Sequence, residues 1–192
     1  MLFHHVQGLT DGVRAFAEEL RAGGHTVHTP DLFDGERPAS IDDGVAHIQR
    51  VGGEALDERA DRAVADLTEG LVYAGFSWGG GTAQRFAQTR SGARGALLYE
   101  SCMPIAGEWA LGPWPDGIPV QIHGMDKDPF FALEGDIDAA REAGRDGRLR
   151  AGRAVRLPGR PAPVRRQLAA VVRRGAAALV VQRSREFLDR LG

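Results

Sequence analysis

Five residues, Gly75-Phe76-Ser77-Trp78-Gly79, constrain this chain more than any other stretch. They follow a short apolar run, Leu71-Val72-Tyr73-Ala74, and open into Gly80-Gly81-Thr82-Ala83-Gln84-Arg85-Phe86-Ala87. The run reads as a strand and the continuation as a helix whose first turn carries small residues. That is the strand–turn–helix setting of a G-x-S-x-G nucleophile elbow. The serine sits at a tight bend in strained backbone, and side chains two positions either side would collide, so glycine fits there. The motif predicts a nucleophile at position 77, with a helix behind it over 79–89.

The rest of the chain alternates in the same way. Strands are predicted at 1–5, 26–29 (stopped by Pro30), 96–99 and 120–123. Helices are predicted at 11–21, 42–51, 54–67, 134–143 and 177–191. In the first, Val13, Phe16, Ala17 and Leu20 share one face, Thr10 is the expected N-cap and Gly23-Gly24 the stop. Gly52-Gly53 separates the second from the third. Alternating strands and helices predict one α/β domain over 1–192, with a mostly parallel sheet covered on both faces. Ligands of such sheets bind at the carboxyl ends of the strands. The strand tails here are His4-His5, Pro30-Asp31, Ser77, Ser101-Cys102 and the loop 124–128, which places the reactive residue types along one edge.

A serine hydroxyl needs an imidazole to take its proton and a carboxylate to orient that imidazole. In the elbow's usual chain order the acid follows a later strand. Here that points to Asp128, with Asp126 as the alternative, in Gly124-Met125-Asp126-Lys127-Asp128-Pro129-Phe130. Two backbone N–H groups should stabilise an oxyanion. Trp78 supplies one and the loop after the first strand the other, from Val6 or Gln7, with Val6 preferred. His5, Gln7, Trp114 and Phe130 are candidate pocket residues. Trp78, Trp109 and Phe131 also fall near strand ends, as pocket wall or as core. Cys102 reads as a packing residue. The glycines at 79–81 lack the Gly-Lys-Ser/Thr ending of a phosphate loop, and no His or Cys spacing suggests a metal, so no cofactor is expected.

Composition sets the remaining bounds. A length of 192 residues with 43% hydrophobic side chains suits one globular domain. No apolar run approaches the ~18 residues of a membrane span, and the first residues do not read as a signal peptide. A single cysteine excludes an intramolecular disulfide and fits a reducing compartment, so the expected location is cytoplasmic, as monomer or homodimer. The net charge of −2 hides an asymmetry: residues 1–144 carry 23 acidic and 11 basic side chains, residues 145–192 carry 3 and 13. Arginine supplies 23 of the 24 basic residues, with Lys127 the exception, a bias that reflects GC-rich coding more than a partner.

Taken together, four segments resemble the dienelactone hydrolase family of the α/β-hydrolase superfamily, over residues 2–144. They are His5-Val6-Gln7-Gly8, Gly23-Gly24-His25 leading to Pro30-Asp31-Leu32-Phe33, the elbow, and His123-Gly124-Met125-Asp126-Lys127-Asp128-Pro129-Phe130. The resemblance implies a compact α/β-hydrolase core that cleaves small esters or lactones without a cofactor, through an acyl-enzyme. Two departures argue against dienelactone itself as substrate. Ser77 stands where the namesake enzymes use cysteine, and His5 where a glutamate typically precedes their oxyanion residue.

The resemblance also implies a histidine beyond the acid, and this chain has none after His123. Where a Tyr-Pro-Gly-x-x-His-x-Phe stretch is expected, residues 156–166 read Arg-Leu-Pro-Gly-Arg-Pro-Ala-Pro-Val-Arg-Arg, and no acidic residue occurs from 147 to 185. Three readings follow for the atypical segment at 145–175. It is a basic arm for nucleic acid or an acidic partner, although it lacks aromatic residues to stack on bases. Or the domain has lost its base and become a binding protein or a very slow enzyme. Or residues 147–176 are translated out of frame. Synonymous codons for 152–167 exist that, read one base later, give Gly-Glu-Leu-Phe-Ala-Tyr-Pro-Gly-Asp-Arg-His-Leu-Phe-Ala-Asp-Ser. This restores both a strand and the histidine, and it is the favoured reading. The expected partner is a small ester or lactone, with no nucleic acid or membrane involved.

Overall fold

In the computed structural model, which describes residues 1–67, 70–108, 110–125, 152–157 and 166–192, strands and helices alternate as the hydrophobic pattern predicts. The elements are β1 (Leu2–Phe3), α1 (Asp11–Ala22), α2 (Ile41–Val51), α3 (Gly53–Ala65), β2 (Val72–Phe76), α4 (Trp78–Thr89), β3 (Gly95–Tyr99), β4 (Val120–Met125), β5 (Gly152–Leu157) and α5 (Arg166–Leu191). The five strands form one sheet in the order β1-β2-β3-β4-β5. Every pairing is parallel, with Leu2 opposite Ala74, Phe76 opposite Tyr99 and Tyr99 opposite His123.

Successive strand residues point to opposite faces, and the two cores divide accordingly. Phe3, Tyr73, Ala96, Leu98 and Val120 pack on one face with Leu56, Ala60 and Val64 of α3 and Ala83, Phe86 and Ala87 of α4. Leu2, Ala74, Leu97 and Tyr99 pack on the other with Val13, Ala17 and Leu20 of α1 and Phe187 of α5. Burying each Leu, Val or Phe contributes about 1.5–3 kcal/mol, so both faces must be covered for the sheet to persist. This is the α/β-hydrolase arrangement, with no edge of the elbow strand β2 exposed.

Four local expectations need correction. Residues 26–29 are not a strand: they run beside β1 with one backbone bond, from Leu2 N–H to the His28 carbonyl (2.8 Å), and Pro30 has no N–H to extend a ladder. Thr10 occupies the N-cap position of α1 without capping it; its Oγ1 lies 3.3 Å from His5 Nε2 instead. The second helix starts at Ile41, one residue before the expected 42, and is capped by Ser40, whose Oγ accepts from the Asp43 N–H (3.1 Å). Finally, α5 begins eleven residues before the expected 177. A lone glycine at 175 costs about 1 kcal/mol relative to alanine, too little to end a helix that packs at its far end. The arginine-rich stretch also contributes β5, which pairs with β4 in the sheet; residues 152–157 are therefore no detached arm. The predicted helix at 134–143 lies outside the described residues. Among the described residues, no helix is long and apolar enough to cross a membrane.

Candidate active site

The end of β2 delivers Ser77 into a bend that few residues tolerate. Its backbone lies at φ 48° and ψ −119°, a conformation that costs a non-glycine residue on the order of 1–3 kcal/mol. Two bonds hold it there. The Ser77 N–H donates to the Tyr99 carbonyl (2.8 Å), and the Gly80 N–H donates to the Ser77 carbonyl (2.7 Å). The flanking glycines are required by contact: a Cβ on Gly75 would fall on the Gly79 carbonyl, and one on Gly79 would meet the carbonyls of Phe3 and His4. The side chain that results is exposed at the carboxyl edge of the sheet.

Around it opens a cleft of about 760 Å³, whose walls include Val6, Trp78, Glu100 and Ser101 as well as Ser77. Trp78 is the first residue of α4, so its N–H has no intrahelical acceptor. Val6 lies in the loop after β1, against which Gly44 of α2 packs so closely that a Cβ there would strike the Val6 carbonyl. The structure thus brings Ser77, Trp78 and Val6 to one cleft. The outer wall is apolar: Ile41, Val45 and Leu111 are 43%, 41% and 40% exposed and all three face it. Arg85 also lines the cleft, held by Asp61 (2.9 Å) and Asp57 (3.5 Å), with its guanidinium 4.3 Å from the Phe86 ring centre.

Three expected pocket residues are turned to other work. His5 accepts the Gln7 N–H at Nδ1 (3.1 Å), which leaves the proton of the neutral ring on Nε2, 3.3 Å from the Thr10 hydroxyl. The Gln7 side-chain amide donates to the Ala39 carbonyl (3.2 Å). Trp114 is buried in the core and donates its indole N–H to the Ile118 carbonyl (2.7 Å). None of the three is among the cleft walls described above. Asp128, Asp126, Phe130, Phe131 and Trp109 lie outside the described residues. Cys102 is buried in the core.

All six histidines are placed, and none lines the cleft. His4 is fully buried, donating from Nδ1 to the His5 carbonyl (2.8 Å) and accepting the Leu32 N–H at Nε2 (3.1 Å). Burial lowers its pKa, as it does that of His5. His123 is stacked on Tyr99 (5.3 Å) and accepts the Gln121 amide at Nε2 (2.9 Å), so its proton sits on Nδ1. Burial, with a smaller contribution from the nearby Arg183, pushes its pKa down to about 4. His47 is buried and receives Arg50 at Nδ1 (2.8 Å), His25 lies 3.3 Å from Asp189, and His28 is exposed away from the cleft.

The apolar wall and Glu100 were not foreseen. An i,i+4 pair of branched apolar residues, Ile41 and Val45, off the core-facing stripe of α2 was the available signal for the wall. Glu100 carries no local signal. It enters the cleft because β3 lies beside β2.

The chain is similar to a protein from Xanthomonas campestris pv. campestris described as a candidate hydrolase of the α/β superfamily, with a TM-score of 0.53 and 23% identity over 94% of each chain. No protein-family profile and no curated protein matches. The class defined by topology and elbow is the α/β-hydrolase fold.

Proposed function

We propose that this chain is a serine hydrolase of dienelactone-hydrolase type, cleaving a small ester or lactone through an acyl-enzyme on Ser77. The observation that carries this reading is the strained, exposed Ser77 at the mouth of an apolar-walled cleft. Its Oγ attacks the substrate carbonyl, and the developing oxyanion is held by the backbone N–H groups of Trp78 and Val6. Ile41, Val45 and Leu111 cover the apolar part of an acyl or alcohol group. Asp128, or Asp126, is the acid that the family resemblance assigns. The chain works in the cytoplasm as a monomer or homodimer and needs no cofactor.

The test is a pre-steady-state burst with a p-nitrophenyl ester, combined with fluorophosphonate labelling read by intact mass. Stoichiometric labelling that disappears in Ser77→Ala supports the enzyme. A second reading, a hydrolase-fold binding protein without turnover, is favoured by the placement of all six histidines away from the cleft. It is supported if the wild-type chain neither bursts nor labels.

A further inference from the structure

We propose that Glu100 is the side chain that accepts the proton of Ser77 in this chain. The inference rests on the serine-hydrolase reading and supplies its missing base.

Register brings the two residues together. Phe76 pairs with Tyr99 at the last step of the β2–β3 ladder. Ser77 and Glu100 are the next residues on these neighbouring parallel strands, and both line the cleft. The Ser77 N–H is bonded to the Tyr99 carbonyl (2.8 Å), and the Glu100 N–H to the His123 carbonyl (2.7 Å), so both backbones are anchored at one level of the sheet edge. Both also bend in the same unusual way. Ser77 has φ 48° and Glu100 φ 51°; the remaining described non-glycine residue with positive φ is Asp34. Strained conformations of this kind persist where surrounding structure enforces them, and they cluster at functional sites. Here two lie side by side at the cleft.

Chemistry narrows the choice further. A proton acceptor must reach the serine directly or through one water. No histidine lines the cleft, and Asp57, the other described carboxylate there, comes from α3 rather than from the strand beside β2. Glu100 is the acidic residue next to the serine in register.

In acylation, the Glu100 carboxylate takes the Ser77 Oγ proton as Oγ bonds to the substrate carbonyl carbon. Collapse of the tetrahedral intermediate breaks the bond to the leaving oxygen, which receives that proton and departs as an alcohol. In deacylation, a water gives its proton to Glu100 and its oxygen to the acyl carbon. The Ser77–acyl bond breaks, the proton returns to Oγ, and a carboxylic acid leaves.

The experiment uses the full chain as wild type, Ser77→Ala, Glu100→Gln and Glu100→Asp. Burst acylation by p-nitrophenyl acetate is followed from pH 4 to 9, with thermal melts confirming that each variant is folded. The expected result is a wild-type acid limb in the acylation rate, as a carboxylate base requires. Glu100→Gln should acylate about 10²-fold more slowly, at the low end of general-base contributions, and lose that limb. Glu100→Asp should keep the limb at an intermediate rate. Equal rates and profiles for wild type and Glu100→Gln overturn the proposal while leaving Ser77 as nucleophile. So does an acid limb that persists unchanged in Glu100→Gln. A wild-type chain that never acylates, or a Ser77→Ala chain that acylates equally, overturns this proposal and the hydrolase reading together.

Discussion

Replacing His123 with phenylalanine should flatten the acid side of the stability curve by an amount the structure sets. His123 is 2% exposed, and its pKa falls from 6.5 to about 4 on folding. Between these values the unfolded ring binds a proton and the folded ring does not. Stability is therefore fully present above about pH 6.5 and declines as pH falls toward 4. Each pH unit between the two values is worth about 1.4 kcal/mol, so the total is about 3 kcal/mol, of which about 2.5 is lost by pH 4.5. Phenylalanine can keep the stack on Tyr99 but leaves the buried Gln121 amide without its acceptor, a cost of about 1–3 kcal/mol at every pH. The variant should thus be less stable than wild type at pH 8, and the gap should close or invert as pH falls to 4.5. His4 and His5 shift in the same direction in both proteins, so their contributions cancel in the difference. Urea unfolding followed by circular dichroism at half-unit steps from pH 4.5 to 8 measures the gap. Curves that stay parallel over this range would refute the assignment of His123 as a buried neutral ring.

Two further outcomes are expected. Ser77→Gly should raise stability by about 1 kcal/mol in denaturant melts, because glycine adopts φ 48° without a Cβ penalty, whereas Ser77→Ala should not. Sequencing the gene between codons 144 and 178 should reveal a histidine codon in an adjacent frame. A chain expressed with that frame restored should acylate at least 10²-fold faster than the present one, as an imidazole base allows.

Much of the site was legible because its cause is local. The elbow follows from steric contacts among Gly75, Ser77 and Gly79, all within one turn of chain, and two-residue alternation in β2 and β3 separates the two cores. What could not be read depends on neighbours distant in sequence. Trp114 was a pocket candidate from its position near a strand end, but its indole found the Ile118 carbonyl and turned inward. Thr10 has the side chain of an N-cap, yet His5 competes for its hydroxyl. Glu100 reaches the cleft through register with β2, and a register across parallel strands has no signature in either strand alone. β5 has little signature of its own, because Arg153 and Arg156 interrupt its short apolar pattern, and the pairing with β4 is what makes it a strand.

Tyr99 ties the elbow to the end of the chain. Its carbonyl holds the Ser77 N–H, while its buried phenol bonds the Ser184 hydroxyl (2.8 Å), which in turn donates to the Val180 carbonyl. Synthesis delivers these partners 85 residues apart. Without α5 docked the phenol lacks its Ser184 partner, and burying it unpaired would be costly. Loop closure over so long a separation is slow to nucleate. One residue of β3 thus links the backbone of the elbow on one side to the last helix on the other.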